Sequence, residues 1–416
     1  MIPIWIICTA ILILISHILL RDYASPVLIL GIIWLFVYIN LYYHQQYIDS
    51  QAPVSYFFIS YLFYYIGFFI SMRWIDQDAI LAVHAITCNV SWKPKFPKWI
   101  LITEYAISIF YIAICYSNIR SVAMSLWRVF RTTLSENSAL SSGLPSVMRI
   151  AIQMVFLVAF AFCLLNPTNN NRKVLICSIP PLFITLLFDS RGGWFLILIA
   201  CVYMYILIRR PRGMKIVLIG VLGIIFIFAV FLISSFDKYS NAYLWETNKE
   251  KFSRIVNGYF VAPPISFLSW INTNIIPTNG KNTFRFICAL LHPFFPDIEV
   301  VSTVQPFINY TGYNSNVYTA LHWYASDYGF WWTCVVELFL GIVYGKLYRE
   351  VRMNNKVSIF AILMSSMLMF PLINQFFDEK FFSVFSMWVQ RAFWIFVVLK
   401  LSIIRYSNLE TEKNKA

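Results

Sequence analysis

The chain alternates long apolar stretches with short polar ones. Apolar runs of about 20 residues, the length that crosses the hydrocarbon core of a bilayer, recur along most of the sequence. They predict about twelve transmembrane helices, near Ile2–Leu20, Pro26–Tyr43, Val54–Met72, Asp78–Trp92, Trp99–Ser117, Val147–Leu165, Val174–Phe188, Trp194–Ile208, Ile216–Phe236, Tyr328–Tyr348, Val357–Ile373 and Val384–Ile404. The segment at 78–92 is short and is interrupted by His84; without it there are eleven helices and the amino terminus changes side.

Composition agrees with this pattern. Of the 416 residues, 60% are hydrophobic and only 12% are charged, against about 25% charged in soluble domains. The net charge of +13 needs no nucleic-acid partner, because membrane proteins gather Lys and Arg in their cytoplasmic loops. The eight cysteines are scattered without a CxxC or Cys/His cluster, so neither a metal site nor a disulfide framework is predicted. We expect an all-α polytopic integral membrane protein, with residues 1–416 forming a single membrane domain.

The basic loops orient the predicted helices. The three most basic short loops are Lys93–Lys98, Arg209–Lys215 and Lys346–Lys356. Placing all three in the cytoplasm requires an even number of crossings between them, and the predicted helices satisfy this condition. The segments then left outside are 118–146, the hairpin 189–193 and a loop of about 80 residues, 237–316. That loop is rich in Trp, Tyr, Phe and Pro, so we expect an ordered cap with short helices.

The hairpin "DSRGGW" holds the first candidate for chemistry. Arg191 lies on the outer face, where a cation opposes the positive-inside bias. Either Asp189 pairs with it and the two merely close a turn, or the arginine serves a ligand. Gly192 and Gly193 would let the backbone turn tightly and a ligand come close. A bidentate guanidinium beside such a turn suits a phosphate or pyrophosphate.

The second candidate stretch is Asn314–Tyr348, which leads from the long outer loop into a membrane helix. It carries Asn316, His322 and Asp327 before a glycine bend. A polar helix of this kind could line a cavity open to the outer side. The alternative is an ordinary interfacial helix with Trp and Tyr anchors.

These two stretches carry a resemblance to a known family. "DSRGGW", the large outer loop, "N-x-Y-T-A-L-x-x-Y-x-x-D-Y-G" and "G-I-V-Y-G-K-L-Y" resemble the bacterial Wzy-type polymerases of O-antigen and capsule, which are related to the O-antigen ligases. The resemblance implies a GT-C-like helical bundle in the bacterial inner membrane, multi-pass, with a periplasmic active site. It implies transfer of a glycan from undecaprenyl pyrophosphate to a lipid-linked repeat unit, without cofactor, metal or nucleic acid. Membrane lipid and a chain-length regulator are the other partners considered.

Residue roles follow from the same resemblance. Arg191 matches the outer-face arginine that would hold the pyrophosphate, and Arg254 and Arg285 in the long loop would be further clamps. In the ligase relatives a histidine just before the helix activates the acceptor, whereas this chain has asparagines there. His292 and His322 are therefore both retained as candidate bases. The predicted substrate-binding residues are Asp189, Gly192, Asn316, Asp327 and Arg391, the last being a charge within a predicted span, where function competes with snorkelling.

Two other functions compete with this one. A lipid-linked oligosaccharide flippase would be expected to show two similar halves, which the sequence lacks. A metal-dependent lipid-phosphate sugar transferase would use Asp76 and Asp78 of "RWIDQD", since paired carboxylates can hold Mg²⁺ or Mn²⁺. This three-letter pattern occurs often by chance.

Overall fold

The computed structural model describes residues 2–72, 96–119, 143–187, 191–211, 213, 215–223, 250, 252–253, 256–273, 277–302, 305, 308–310, 313–352 and 358–413. The helices, numbered along the chain, are α1 (Ile2–Leu20), α2 (Pro26–Tyr43), α3 (Ser55–Ser71), α4 (Lys98–Ile119), α5 (Gly143–Leu165), α6 (Asn169–Leu187), α7 (Arg191–Arg209), α8 (Ala262–Ile271), α9 (Arg285–Leu291), α10 (Ala320–Tyr328), α11 (Phe330–Arg352), α12 (Ile359–Asn374) and α13 (Phe385–Lys413). Residues 215–223 are also helical. A short 3-10 helix (Gln45–Tyr47) follows α2, and a short π-helix (Asn257–Val261) precedes α8.

Within the described ranges, the only strands form one small hairpin. Strand β1 (Ile308–Tyr310) pairs antiparallel with β2 (Tyr313–Ser315), and Asn309 lies opposite Asn314. The hairpin, α8 and α9 all belong to the predicted outer loop 237–316. The short helices expected there are therefore present in its described part, and the hairpin is an addition that the sequence did not predict.

Six helices in the described part of the chain are long and apolar enough to cross a membrane: α1, α2, α4, α5, α7 and α11. Helices α3 and α12 are apolar but shorter. Large apolar side chains remain exposed on several of these helices, for example Ile7 on α1 and Ile109 on α4. Such surfaces suit a hydrocarbon surrounding, so the prediction of an α-helical membrane protein is confirmed.

The chain divides into two compact units. The first comprises Met1–Ile86, Arg212–Asn354 and Leu368–Phe385, and the second comprises Thr87–Pro211, Asn355–Met367 and Ser386–Ala416. In the second unit α5 is packed by α4, α6 and α7, and 78% of its most apolar stretch is buried. Helix α5 is therefore the central helix of that unit.

The first unit is built around α3 and α11, which run parallel. The ring of Tyr56 stacks on that of Phe330 near the start of both helices, with centroids 3.6 Å apart. Further along, Gly341 lies against the backbone of Tyr64, and Gly345 lies against Phe68. Because a Cβ at either glycine would collide with the backbone of α3, small residues are what allow this approach, as is common between membrane helices.

A buried ion pair lies at the other end of the parallel pair. Arg352, the last residue of α11, donates from Nε and Nη2 to the two carboxylate oxygens of Asp22, at 2.7 and 2.8 Å. Asp22 stands in the turn between α1 and α2 and also accepts from Tyr348 Oη and Ala24 N. Burial opposes ionisation of Asp22, but the guanidinium and hydrogen bonds prevail and lower its pKa. The α1–α2 turn is thereby fixed to the carboxyl end of α11.

Candidate active site

The cap of the first unit lies where α3 and α11 begin. We define the cap as α8, α9, α10 and the loops 277–284 and 375–384. Phe57 near the start of α3 contacts Phe267 of α8, with ring centroids 5.5 Å apart. The backbone N–H of Ala320, at the start of α10, donates to Gln375 O at 2.8 Å. These contacts gather segments that are far apart in sequence at one end of the helical unit.

Arg285 is a fixed cation in the cap. It opens α9, and its guanidinium donates from Nε to Val301 O at 2.8 Å and from Nη1 to Ser383 O at 3.1 Å. Partial burial lowers its pKa from the ordinary value. None of the ion pairs found among the described residues involves Arg285. Its charge is therefore oriented by carbonyls, and its remaining N–H groups are suited to an anion.

His292 closes the other end of α9. Its Nδ1 lies 2.8 Å from Ile298 O, and the residue is exposed. A carbonyl can only accept, so this contact requires the proton on Nδ1 and assigns the lone pair of a neutral ring to Nε2. The hydrogen bond thereby presets His292 as a proton acceptor through Nε2. Arg285 and His292 are hydrogen-bonded to different backbone carbonyls, so these bonds do not link the two side chains.

His322 lies on α10 in an aromatic surrounding. Its ring stacks on Tyr318, with centroids 4.3 Å apart, and meets Trp270 edge-on at 4.2 Å. It is 5% exposed, and its Nδ1 has no hydrogen-bond partner among the described residues. Burial lowers the pKa of His322 to about 3, so the imidazole is neutral at neutral pH. In this arrangement His322 is less accessible to a substrate than His292.

Asp327 holds the loop 277–284 against α10. Its Oδ1 accepts from Thr278 Oγ1 at 2.5 Å and from Asn282 N at 3.0 Å. Its Oδ2 accepts from Thr283 N at 2.7 Å and Thr283 Oγ1 at 2.6 Å. The side chain is fully buried. This geometry makes Asp327 a positioning residue for the cap, and direct contact with substrate stays a prediction.

Glu379 organises the second loop of the cap. Its carboxylate accepts from Tyr324 Oη and from the backbone N–H groups of Phe381, Phe382 and Ser383, at 2.6 to 3.1 Å. Burial raises its pKa, while these hydrogen bonds act in the opposite direction. Because Arg285 donates to Ser383 O, the loop that Glu379 shapes also orients the cation.

A small cavity lies beside this loop. It is lined by Tyr324, Tyr344, Gln375 and Glu379 among others, and holds no more than about one water molecule. Gln375 Nε2 donates to Glu337 Oε2 at 3.3 Å, so the intramembrane acid on α11 has a partner there. The cavity is too small for a sugar.

The cap does not include Asp189, Arg191, Gly192 or Arg254. Asp189 and Arg254 lie outside the described residues. Arg191 opens α7, so it and Gly192 stand in the first helical turn, where a tight non-helical turn was expected; that expectation is corrected. Helices tolerate glycine best near their ends, where fewer backbone hydrogen bonds depend on it. The side chain of Arg191 is not described.

Asn316 and Arg391 complete the predicted set. Asn316 is half-buried just before α10. Arg391, on α13 in the second unit, is buried with its Cζ 4.9 Å from the ring centroid of Trp388. It therefore does not extend freely to the headgroups, and its role in binding substrate stays a prediction.

Sequence reasoning did not single out Glu379, Tyr324 or Trp270. For Glu379 a signal existed, because "DEKFF" is a charged stretch in a short loop on the predicted outer side. Trp270 reaches His322 across 52 residues, and no local pattern announces such a contact.

In comparisons with known proteins, no family model matches this chain, and no match was found among the curated proteins or the solved structures. The fold therefore defines a class only: an α-helical integral membrane protein with a polar cap at one end of its first unit.

Proposed function

We propose that this protein polymerises undecaprenyl-pyrophosphate-linked oligosaccharide repeat units into O-antigen or capsular polysaccharide at the periplasmic face of the bacterial inner membrane. The resemblance of "DSRGGW" and of the α10–α11 region to Wzy-type polymerases motivates the proposal. The observation that carries it is the arrangement of α9, which begins at a carbonyl-fixed guanidinium and ends at a histidine with a preset acceptor nitrogen.

The proposed reaction is a glycosyl transfer. A hydroxyl of the incoming repeat unit attacks the anomeric carbon of the growing glycan, forming a new C–O bond. The bond from that carbon to the pyrophosphate oxygen breaks, and its electron pair leaves with undecaprenyl pyrophosphate. Nε2 of His292 takes the hydroxyl proton, with His322 as the other candidate base. Arg285 stabilises the charge that develops on the diphosphate, and the same role for Arg191 and Arg254 is what the family resemblance implies.

The start of α7 supports the assignment of Arg191. The first N–H groups of a helix lack intrahelical acceptors and carry the positive end of the helix dipole. An anion is therefore favoured where α7 begins, and Gly192 in its first turn is half-buried. A guanidinium at residue 191 adds a full charge to these partial ones.

We further propose an eleven-span topology. The parallel course of α3 and α11, and the Asp22–Arg352 pair, put the α1–α2 turn on the same side as the carboxyl end of α11. An even number of crossings must then separate them. Of the predicted spans, nine lie between these points, and omission of 78–92 leaves eight. The basic end of α11 is cytoplasmic in this topology, and the cap is periplasmic.

This topology weakens the metal-dependent alternative. Asp76 and Asp78 lie outside the described residues, and the eleven-span count assigns them to the cytoplasmic side. Carboxylates on the cytoplasmic side would be separated by the membrane from the periplasmic cap. A GT-C-like bundle remains the expected architecture, and a chain-length regulator a possible partner.

Substitution of the arginines tests the function. Arg191→Ala and Arg285→Ala should each leave the protein inserted in the membrane but abolish long-chain glycan, seen as loss of the ladder on a polysaccharide gel. Lysine should rescue either position poorly, because an ammonium cannot form the bidentate fork. Lys281→Ala is the matched control, since this cation forms an exposed ion pair with Glu299. Ladders of normal length at normal expression in both alanine variants would refute the proposal.

A further inference from the structure

An exposed apolar patch covers the outside of α9 and the turn after it. Its members are large hydrophobic side chains: Phe284 (43% exposed), Ile287 (49%), Leu290 (60%), Leu291 (36%), Phe294 (76%) and Phe295 (58%). We call these six residues the apolar patch. Contiguous exposed apolar surface of this kind is uncommon on a protein face in contact with water, and it marks an interaction site.

Two residues at the start of α9 attach it to neighbouring segments. Arg285 is bonded to Val301 O and Ser383 O, and the ring of Phe286 packs on Phe385 with centroids 5.5 Å apart. The apolar patch is the outward part of the same segment. These contacts of Arg285 and Phe286 do not involve the six side chains of the apolar patch.

The apolar patch continues a surface that faces lipid. On α11, Trp331, Val335 and Phe339 follow each other at helical spacing and are 49 to 72% exposed, and Tyr328, the last residue of α10, is 53% exposed. Since α11 is long and apolar enough to cross the membrane, this stripe faces hydrocarbon, with its aromatic end at the interface. Phe284 of the patch lies beside Trp332 in the first turn of α11, with ring centroids 6.3 Å apart.

We propose that the apolar patch is seated in the lipid leaflet that borders the amino end of α11. The occupant is bilayer lipid, because the patch is continuous with the lipid-facing stripe and lies level with its aromatic end. The polar edge of the same loop, the ion pair of Lys281 with Glu299, remains accessible to water at 39 and 70% side-chain exposure. Seating α9 in the leaflet would hold Arg285 and His292 at the depth of lipid headgroups.

Photocrosslinking of the full chain in vesicles of phosphatidylethanolamine and phosphatidylglycerol tests the proposal. The photoreactive residue p-benzoylphenylalanine replaces Phe294, or Phe295 where the first variant folds poorly; the change is small because both side chains are aromatic. The same residue at Trp331 gives the positive control on the lipid-facing stripe, and at Glu299 the negative control on the polar edge. Intact-mass analysis measures the fraction of chain that gains one phospholipid.

The expected result is a lipid adduct at Phe294 comparable with that at Trp331 and several-fold above that at Glu299. A crosslink to a second copy of the chain, or an adduct at Phe294 no higher than at Glu299 while Trp331 reacts, would overturn the proposal. The readout does not involve glycan synthesis. The lipid seat and the polymerase function can therefore fail independently.

Discussion

Replacing Asp327 by asparagine separates a positioning role from a substrate-binding one. The native carboxylate accepts four hydrogen bonds from the loop 277–284. Asparagine keeps one oxygen, which can still accept from Thr278 and Asn282. Its amide NH₂ would then face the N–H and hydroxyl of Thr283, so two bonds are lost and two donors oppose each other.

The size of the effect follows from these bonds. A hydrogen bond to a charged group contributes about 1.5–3 kcal/mol, so loss of two destabilises the cap by roughly 3–6 kcal/mol. The site is fully buried, so water cannot replace the missing acceptor. Thr283→Val, which removes the hydroxyl that donates to Asp327 and accepts from Trp332 Nε1, should cost about half as much.

Thermal unfolding of the protein in nanodiscs, followed by intrinsic fluorescence, measures the change. Asp327→Asn should lower the apparent midpoint clearly and speed proteolysis within the loop 277–284. Asp297→Asn is the matched control, because Asp297 is an exposed acid of the same outer segment. An unchanged midpoint together with lost glycan synthesis would refute the positioning role and establish Asp327 as a substrate ligand.

Three further predictions test other parts of the structure. Gly341→Ala should cost about 1–3 kcal/mol because its Cβ collides with α3, whereas Gly220→Ala, with nothing within 4 Å, should be neutral or stabilising; equal midpoints in the same unfolding assay would argue against the close helix pair. In a chain without its native cysteines, Ser50→Cys should react with a membrane-impermeant maleimide added from the periplasm, because the eleven-span topology places the loop after α2 on that side. Reaction from the cytosol alone would instead support the twelve-span topology. His322 has a pKa of about 3 when folded and takes up a proton near pH 6.5 when unfolded, so the free energy of unfolding should fall by about 1.4 kcal/mol per pH unit from pH 6.5 down to about 3; His322→Gln should flatten that slope.

The membrane helices were largely predictable from the sequence. The bounds of α1 and α2 coincide with the predicted apolar runs, because helix length in a bilayer is set by hydrocarbon thickness. Helix direction was harder to predict. In the sequence it depends on whether one short segment, 78–92, crosses the membrane. The proposal that it does not cross rests on contacts between residues hundreds of positions apart, such as Asp22 and Arg352.

The sequence predicted several residues of the candidate site, but not what each of them does there. The sequence singled out Arg285, His292 and Asp327, and the structure places Arg285 and Asp327 in the cap and His292 directly after α9. The sequence could not reveal that the carboxylate of Asp327 binds a loop of the protein. An acid near a helix end has the same sequence pattern whether its hydrogen-bond donors belong to the protein or to a substrate. Glu379 escaped notice for the same reason: its partners are backbone N–H groups, which every sequence supplies.

The cap treats its buried acids and its principal cation in opposite ways. Asp327 and Glu379 are each bound by four donors of the protein itself, so their oxygens are occupied in fixing the two loops. Arg285 is instead held by two neutral carbonyls, which orient the guanidinium without cancelling its charge. A site organised in this way offers N–H groups of a guanidinium to an anion, while its two buried acids keep their oxygens on the protein's own donors. A diphosphate on a lipid, arriving at headgroup depth beside α9, fits that electrostatic character, and a sugar alone would gain nothing from it.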